Sequence, residues 1–342
     1  MIVPIKRIFL MLGPKCNLQC KYCLQHDMVN SDSSKVSKEV IDWLKVVLRT
    51  QKTEPVITFY GGEPLVYWDA IVDVIKQLGD CHYSIITNGK LLTEDKIDFL
   101  NDYKVSVAVS WDGSNVLETR GYDVLMSNLE LMKIKKLSFS GVLSSANYPK
   151  DFLDGLEDFM LAYKEENGHY PRLNIDTIMD FGNCNDLRNV DTEKLANQMY
   201  EIIENKEHKV SYTEFNDKMI GGYEFFRTYK DERALCGDGY TTWNVDKEGN
   251  VYRCHNCGDK LGTIKDQYYD LIMRATKLDP TEYNYKTKCK DCPVQSMCRS
   301  GCPLIGVTGR REYYCAIREA FFGPYIEYMN RPTEQGREIV IG

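Results

Sequence analysis

Three cysteines within eight residues, Cys16-Asn-Leu-Gln-Cys20-Lys-Tyr-Cys23, constrain this chain more than any other feature. Spaced as C-x3-C-x2-C, their thiolates can hold three irons of a cubane from one short loop and leave the fourth iron without a protein ligand. An iron with an open position can bind a cofactor or substrate. Structural zinc is the competing use, but it wants four closed ligands in two pairs, and only His26 stands near enough to be a fourth. Of the 13 cysteines, eight more lie between Cys236 and Cys315, while Cys81 and Cys184 stand alone and read as ordinary thiols.

Compartment decides between metal and disulfides. The apolar run from Ile8 to Leu12 is five residues long, whereas a secretion signal needs about 7–15, so this segment reads as a buried strand. Nowhere do about 18 apolar residues run together, and no membrane span is expected. A cytoplasmic protein in reducing conditions favours metal over disulfides. The balance of 43 Lys and Arg against 50 Asp and Glu, a net charge of −7, carries no broad basic footprint for nucleic acid.

The first half alternates short apolar runs with amphipathic stretches. Strands are predicted at Lys6–Leu12, Pro55–Tyr60, Tyr83–Thr87, Val105–Ser110, Ser138–Leu143 and Leu173–Met179. Helical spacing occurs over Lys38–Thr50, Trp68–Leu78, Thr93–Leu100, Tyr122–Lys136 and Asp151–Lys164, with Ser37 and Thr93 as N-caps. This α/β order implies a parallel sheet with right-handed crossovers, in a partial (β/α)6 TIM-like barrel. Ligands of such sheets collect at the carboxyl ends of the strands. Four consecutive strands deliver special residues there: Cys16 to Cys23, Gly61-Gly62-Glu63-Pro64, Thr87-Asn88-Gly89 and Ser110-Trp111-Asp112-Gly113. The expected division is a barrel over 1–190, a helical connection over 191–235, a cysteine-rich domain over 236–325 and a tail over 326–342, with a hairpin at Thr241–Val245 and Val251–Cys254.

The cysteine spacing, with the aromatic Tyr22 before the third cysteine, resembles the radical S-adenosylmethionine (radical SAM) superfamily. The resemblance implies that Cys16, Cys20 and Cys23 bind a [4Fe–4S] cluster whose open iron chelates S-adenosylmethionine, which on reduction yields a 5′-deoxyadenosyl radical. Gly61, Gly62 and Glu63 match the family motif for the methionine ammonium, where glycines let backbone approach the ligand and a carboxylate accepts from it. Asn88, Ser110 and Arg120 match positions that touch ribose or the methionine carboxylate, and Tyr22 would lie by the adenine.

The C-terminal run, Cys236, Cys254, Cys257, Cys289, Cys292, Cys298, Cys302 and Cys315, resembles the SPASM extension of the superfamily. By that pattern one auxiliary [4Fe–4S] cluster takes Cys289, Cys292, Cys298 and Cys315, and the other takes Cys236, Cys254 and Cys302, with either Cys257 or an open position as its fourth. Three clusters and S-adenosylmethionine are therefore the implied cofactors. Metal would staple a small domain that has little apolar core of its own. A zinc ribbon built from Cys254-x2-Cys257 and Cys289-x2-Cys292 is the alternative, and it leaves Cys236, Cys298, Cys302 and Cys315 without a role.

Relatives with this extension modify peptides or proteins, so the resemblance implies a maturase that abstracts hydrogen from a ribosomally made peptide to install a thioether or carbon–carbon crosslink or another modification. An anaerobic sulfatase-maturing, formylglycine-generating enzyme is the first alternative. That group often carries Asp after the cysteine matching Cys254, where this chain has His255. A non-catalytic Fe–S electron carrier is the alternative from another class. The implied partners are the peptide or protein substrate and a flavodoxin or ferredoxin as electron donor; many peptide-maturing relatives carry a leader-recognition domain ahead of the barrel, and as this chain begins almost at its first strand, that domain is expected to be absent or supplied by a separate leader-recognition protein.

Overall fold

Periodicity resolves into strands and helices close to where the sequence places them. The computed structural model describes residues 5–25, 35–52, 54–179, 185–229, 241–256, 259–277, 289, 291–298, 301–302 and 311–331. Cys184, Cys236, Cys257, His26 and residues 332–342 lie outside the described residues. The strands are β1 (Arg7–Met11), β2 (Val56–Tyr60), β3 (Tyr83–Thr87), β4 (Ser106–Ser110), β5 (Leu137–Leu143) and β6 (Arg172–Thr177), each parallel to the next. Between them run α1 (Lys38–Thr50), α2 (Trp68–Leu78), α3 (Glu94–Asp102), α4 (Val116–Thr119), α5 (Val124–Ser127) and α6 (Pro149–Asn167).

Alternation along the strands separates two faces. Ile8 and Leu10, Ile57 and Phe59, Val107 and Val109, and Leu137 and Phe139 are fully or almost fully buried in one core with the apolar stripes of the helices. On the other face many positions are short and polar, among them Thr58, Ser84, Ser110, Ser138, Ser140 and Asn174, while Phe9, Tyr60 and Ala108 stand there too. Thr58 and Ser84 hydroxyls join across β2 and β3 at 2.7 Å. A sheet face built this way leaves room and hydrogen-bonding groups for a ligand.

Three expectations needed correction. Ser37 caps α1 by accepting from the Val40 amide at 3.3 Å, but the Thr93 hydroxyl turns to the Asp95 carboxylate and caps nothing. The stretch Tyr122–Lys136 is not one helix. Asp123 accepts from the Leu125 and Met126 amides and Asn128 from the Glu130 amide, so two competing side chains break it into α5 and a 3-10 turn, Leu129–Lys133. Residues 326–330, expected in the tail, instead continue α11 (Arg311–Asn330), whose Phe321 and Tyr325 are buried and which packs against α7 (Thr192–Glu204).

The cysteine-rich half also extends the barrel sheet. β7 (Thr242–Asp246) adds parallel to β1, with Arg7 opposite Thr242 and Met11 opposite Asp246, and β8 (Asn250–Tyr252) and β9 (Lys260–Thr263) follow antiparallel. The strand order is 6-5-4-3-2-1-7-8-9. The remaining α-helices among the described residues are α8 (Val210–Tyr229), α9 (Tyr268–Lys277) and α10 (Gln295–Cys298). Among the described residues no helix is long and apolar enough to cross a membrane.

The Tyr325 hydroxyl, fully buried, donates to Asn216 Oδ1 at 2.5 Å and ties α11 to α8. Tyr325→Phe strands that acceptor and is expected to cost about 1–2 kcal/mol in urea unfolding. A change indistinguishable from zero would show that this contact does not hold the helix in place.

Candidate active site

The first cysteine loop is seated by backbone against backbone. The Gly62 amide donates to Gly13 O at 2.9 Å, and the Glu63 amide to Lys15 O at 2.9 Å. A Cβ on Gly62 would stand 2.3 Å from Pro14 O, and one on Gly61 2.5 Å from Gly13 O. The motif predicts glycines that admit a ligand; here they admit the segment that leads into Cys16. Tyr67 completes the seat, its hydroxyl accepting from the Lys15 amide at 3.0 Å.

Glu63 is buried, and its carboxylate accepts from the Leu65 amide, the Thr87 hydroxyl at 2.7 Å and the Asn88 amide at 2.7 Å. Burial raises its pKa despite these three donors. Asn88 reaches back to the loop, donating to Asn17 Oδ1 at 2.7 Å and lying 3.9 Å from Cys16 Sγ. Ser110 stands half-buried at the end of β4. Cys16, Cys20 and Cys23 lie within electrostatic reach of one another. Burial lifts the Cys20 thiol to about 11 against the pull of Arg120.

A second clasp comes from residues after β4, and the role of its centre is not legible in the sequence. Asp112, placed by the sequence on the rim after β4 but given no role of its own there, is fully buried and takes four partners. Its Oδ1 accepts from the Val142 amide at 3.0 Å and pairs with Arg120 Nη2 at 3.1 Å. Its Oδ2 accepts from the Thr119 hydroxyl at 2.8 Å and from the Tyr22 hydroxyl. The Arg120 guanidinium lies 5.4 Å from the centre of the Tyr22 ring, and the Lys21 amide donates to Thr119 O at 3.0 Å. Burial alone would lower the Arg120 pKa, but the Asp112 carboxylate reverses this and holds the guanidinium charged. Tyr22 and Arg120 are thus brought together, beside Cys20.

A third set joins this loop to the second cysteine region. After β8 the chain turns onto the polar face of the sheet, where the His255 imidazole stacks on Phe9 at 4.2 Å and meets Tyr60 edge-on at 4.5 Å. Gln25 Nε2 donates to His255 O at 2.8 Å and Asn256 Oδ1 at 3.1 Å, and the Tyr60 hydroxyl donates to the same Asn256 oxygen at 2.8 Å. Burial, with Arg7 nearby, lowers the His255 pKa to about 4, so its ring is neutral. Asn256→Ala removes an acceptor shared by a buried donor, Gln25, and a half-buried one, Tyr60, and is expected to destabilise the protein by about 1–3 kcal/mol in thermal or urea unfolding. An unchanged transition would show that the bridge contributes nothing.

Farther along, Cys292 lies within electrostatic reach of both Cys289 and Cys298, and the Gly301 amide donates to Cys298 O at 2.9 Å. Cys302 lies within electrostatic reach of the Tyr314 hydroxyl, and Cys315 follows on α11. Cys254 stands near Tyr60 and accepts from the Asn256 amide at 3.3 Å. Cys81 lies just before β3, at the opposite end of the strand from Asn88 and Cys16.

Residues 10–178 match the family model described as the Radical SAM superfamily. This stretch is a radical SAM domain. The chain is 21% identical over 337 residues to a cysteine-type anaerobic sulfatase-maturating enzyme of Clostridium novyi, covering 87% of this chain and 88% of that one. It is 28% identical over 293 residues to the radical SAM cyclopropyl synthase TigE of Paramaledivibacter caminithermalis, covering 77% of this chain and 60% of the relative. Among solved structures, native anSMEcpe with bound AdoMet superposes with a TM-score of 0.69 at 18% identity, covering 95% of this chain and 98% of that one. Streptococcus suis SuiB bound to S-adenosylmethionine gives 0.62 at 16% identity, covering 90% and 75%. These superpositions establish the shared fold. The relatives are enzymes, and this chain is a radical SAM enzyme, which leaves the electron-carrier alternative without support.

The residues present fit a radical SAM cluster with S-adenosylmethionine. Three thiols share one loop, and two buried donors beside that loop, Asn17 Nδ2 and Arg120 Nε, have no hydrogen-bond partner in the described residues. Both are groups that an anionic cluster or a carboxylate would satisfy.

Proposed function

We propose that this enzyme is a maturase that abstracts hydrogen from a ribosomally made peptide and installs a thioether or carbon–carbon crosslink. When bound at Cys16, Cys20 and Cys23, the cluster supplies the electron that cleaves S-adenosylmethionine to methionine and a 5′-deoxyadenosyl radical. In this reading Glu63 accepts from the methionine ammonium, and Arg120, fixed by Asp112, offers its free Nε–H to the carboxylate end. Tyr22, held by Asp112, closes the adenine side. Ser110 and Asn88 stand on the ribose side. Cys289, Cys292, Cys298 and Cys315, and separately Cys236, Cys254 and Cys302 with Cys257 or an open position, would hold the two auxiliary clusters.

The observation that carries this reading is the bridge Gln25–Asn256–Tyr60, which sets the segment after Cys254 directly against the first cysteine loop. A second cysteine region placed there can receive an electron from chemistry at the loop. Peptide recognition is supported by the solved structures of anSMEcpe with the Cp18Cys peptide and of SuiB with its precursor peptide SuiA.

Sulfatase maturation is the second reading, and the long match to the C. novyi enzyme favours it. Against it stands His255, a neutral, enclosed imidazole where a carboxylate would serve as base. The two are separated by co-expressing the protein with short peptides encoded beside its gene and, in parallel, incubating it with the Cp18Cys peptide. Loss of two hydrogens from a neighbouring peptide supports the crosslinking reading. Formylglycine in the Cp18Cys peptide, with the neighbouring peptides unchanged, overturns it.

A further inference from the structure

Arg318 is a buried cation that the chemistry above does not use. It lies on α11, where Nη1 donates to Thr177 Oγ1 on β6 at 3.3 Å, and its guanidinium covers the Phe322 ring at 4.5 Å and the Tyr314 ring at 5.6 Å. Its Nε has no hydrogen-bond partner among the described residues, and Cys298 and Asp176 both lie within electrostatic reach of the guanidinium. One residue therefore spans the end of β6 and a cysteine of the second region. Burying a guanidinium is costly unless it is paired, and the only full carboxylate in this group, Asp176, reaches it without a close ion pair among the described residues. A negatively charged group at Cys298 would supply the missing counter-charge.

We propose that Arg318 is a positioning residue for an iron–sulfur cluster ligated by Cys298, donating N–H···S to that ligand and raising the cluster's reduction potential. This rests on the reading of Cys289, Cys292, Cys298 and Cys315 as one cluster's ligands. A fixed positive charge and a hydrogen bond to a ligand sulfur favour the reduced, more negative cluster over the oxidised one. Arginine suits the role because it stays charged when buried and its planar fork can bond Cys298 and Thr177 together. The consequence is a better electron acceptor beside the polar face of the sheet.

The test uses the full chain carrying Cys16→Ala/Cys20→Ala/Cys23→Ala, so that only auxiliary clusters remain, and compares it with the same protein bearing Arg318→Gln or Arg318→Lys in EPR-monitored redox titrations. At the potential that half-reduces the parent's cluster, Arg318→Gln is expected to shift the oxidised-to-reduced ratio by about tenfold toward oxidised, the worth of one charge-assisted hydrogen bond. Arg318→Lys, which keeps the charge and loses the fork, shifts it part-way, and the other auxiliary cluster titrates as before. Should Arg318→Gln lose iron, Arg318→Lys decides. An unmoved midpoint in a variant with full iron content overturns the inference and leaves the ligand reading intact. Absence of auxiliary clusters in the parent, or full retention of them in Cys298→Ala, overturns the ligand reading and the inference with it.

Discussion

Asp112→Ala is expected to destabilise the protein by about 3–5 kcal/mol, because it leaves Arg120 as an uncompensated buried charge. The carboxylate is fully enclosed and serves the Val142 amide, Thr119, Tyr22 and Arg120 at once. Nothing nearby can replace it: Arg120 is only 10% exposed at its side chain, and its Nε already lacks a partner. Converting the pair to apolar residues in Asp112→Leu/Arg120→Met is expected to recover much of the loss, since well-packed hydrophobes can replace a buried pair at little cost. Urea unfolding of the three proteins measures this. A loss below about 0.5 kcal/mol for Asp112→Ala, the scale of an ordinary surface change, would show that Arg120 finds compensation elsewhere. S-adenosylmethionine binding would fall in the double variant even where stability returns, because Tyr22 and Arg120 are then no longer held.

Gly62→Ala is expected to reduce S-adenosylmethionine cleavage by about 10²-fold, the cost of moving a reacting group by roughly an ångström. The added Cβ would meet Pro14 O at 2.3 Å and Lys15 O at 2.5 Å. Both obstacles are backbone, so the loop carrying Cys16 must move. Overpacking of this kind also costs about 1–3 kcal/mol of stability. Gly221→Ala is the matching control. It lies within α8 with nothing within 4 Å of its Cβ, and is expected to leave cleavage unchanged while stabilising the helix by up to about 1 kcal/mol. Equal activity in Gly62→Ala and wild type would mean that the close approach of the two backbones does not position the cysteines.

What is legible in the sequence follows from what is local. Strand and helix periods place β1 to β6, and cysteine spacing marks the loop at the end of β1, because each signal is carried by residues near in the chain. The role of Asp112 escapes for the opposite reason: the sequence places it on the rim, but its partners Tyr22 and Val142 are 90 and 30 residues away. Gln25 and Asn256 escape likewise, being ordinary amides until the fold brings residues 231 apart in sequence into contact in space. Gly61 and Gly62 read as ligand access, since a motif shows that space is needed but not what fills it. The addition of β7 to β1 is invisible because a strand carries no mark of which edge it will join. The break at Asn128 is within reach of the sequence, as Asp123 and Asn128 are both capping types within a weak helical pattern.

The central claim is that Cys16, Cys20 and Cys23 hold the cluster that cleaves S-adenosylmethionine. Its most direct test is anaerobic reconstitution with iron and sulfide, reduction by dithionite in the presence of S-adenosylmethionine, and chromatographic measurement of 5′-deoxyadenosine for wild type and for Cys16→Ala/Cys20→Ala/Cys23→Ala. The account predicts 5′-deoxyadenosine from wild type and none above background from the triple variant. A wild-type protein loaded with about twelve irons, as three cubanes require, that yields no 5′-deoxyadenosine would contradict it.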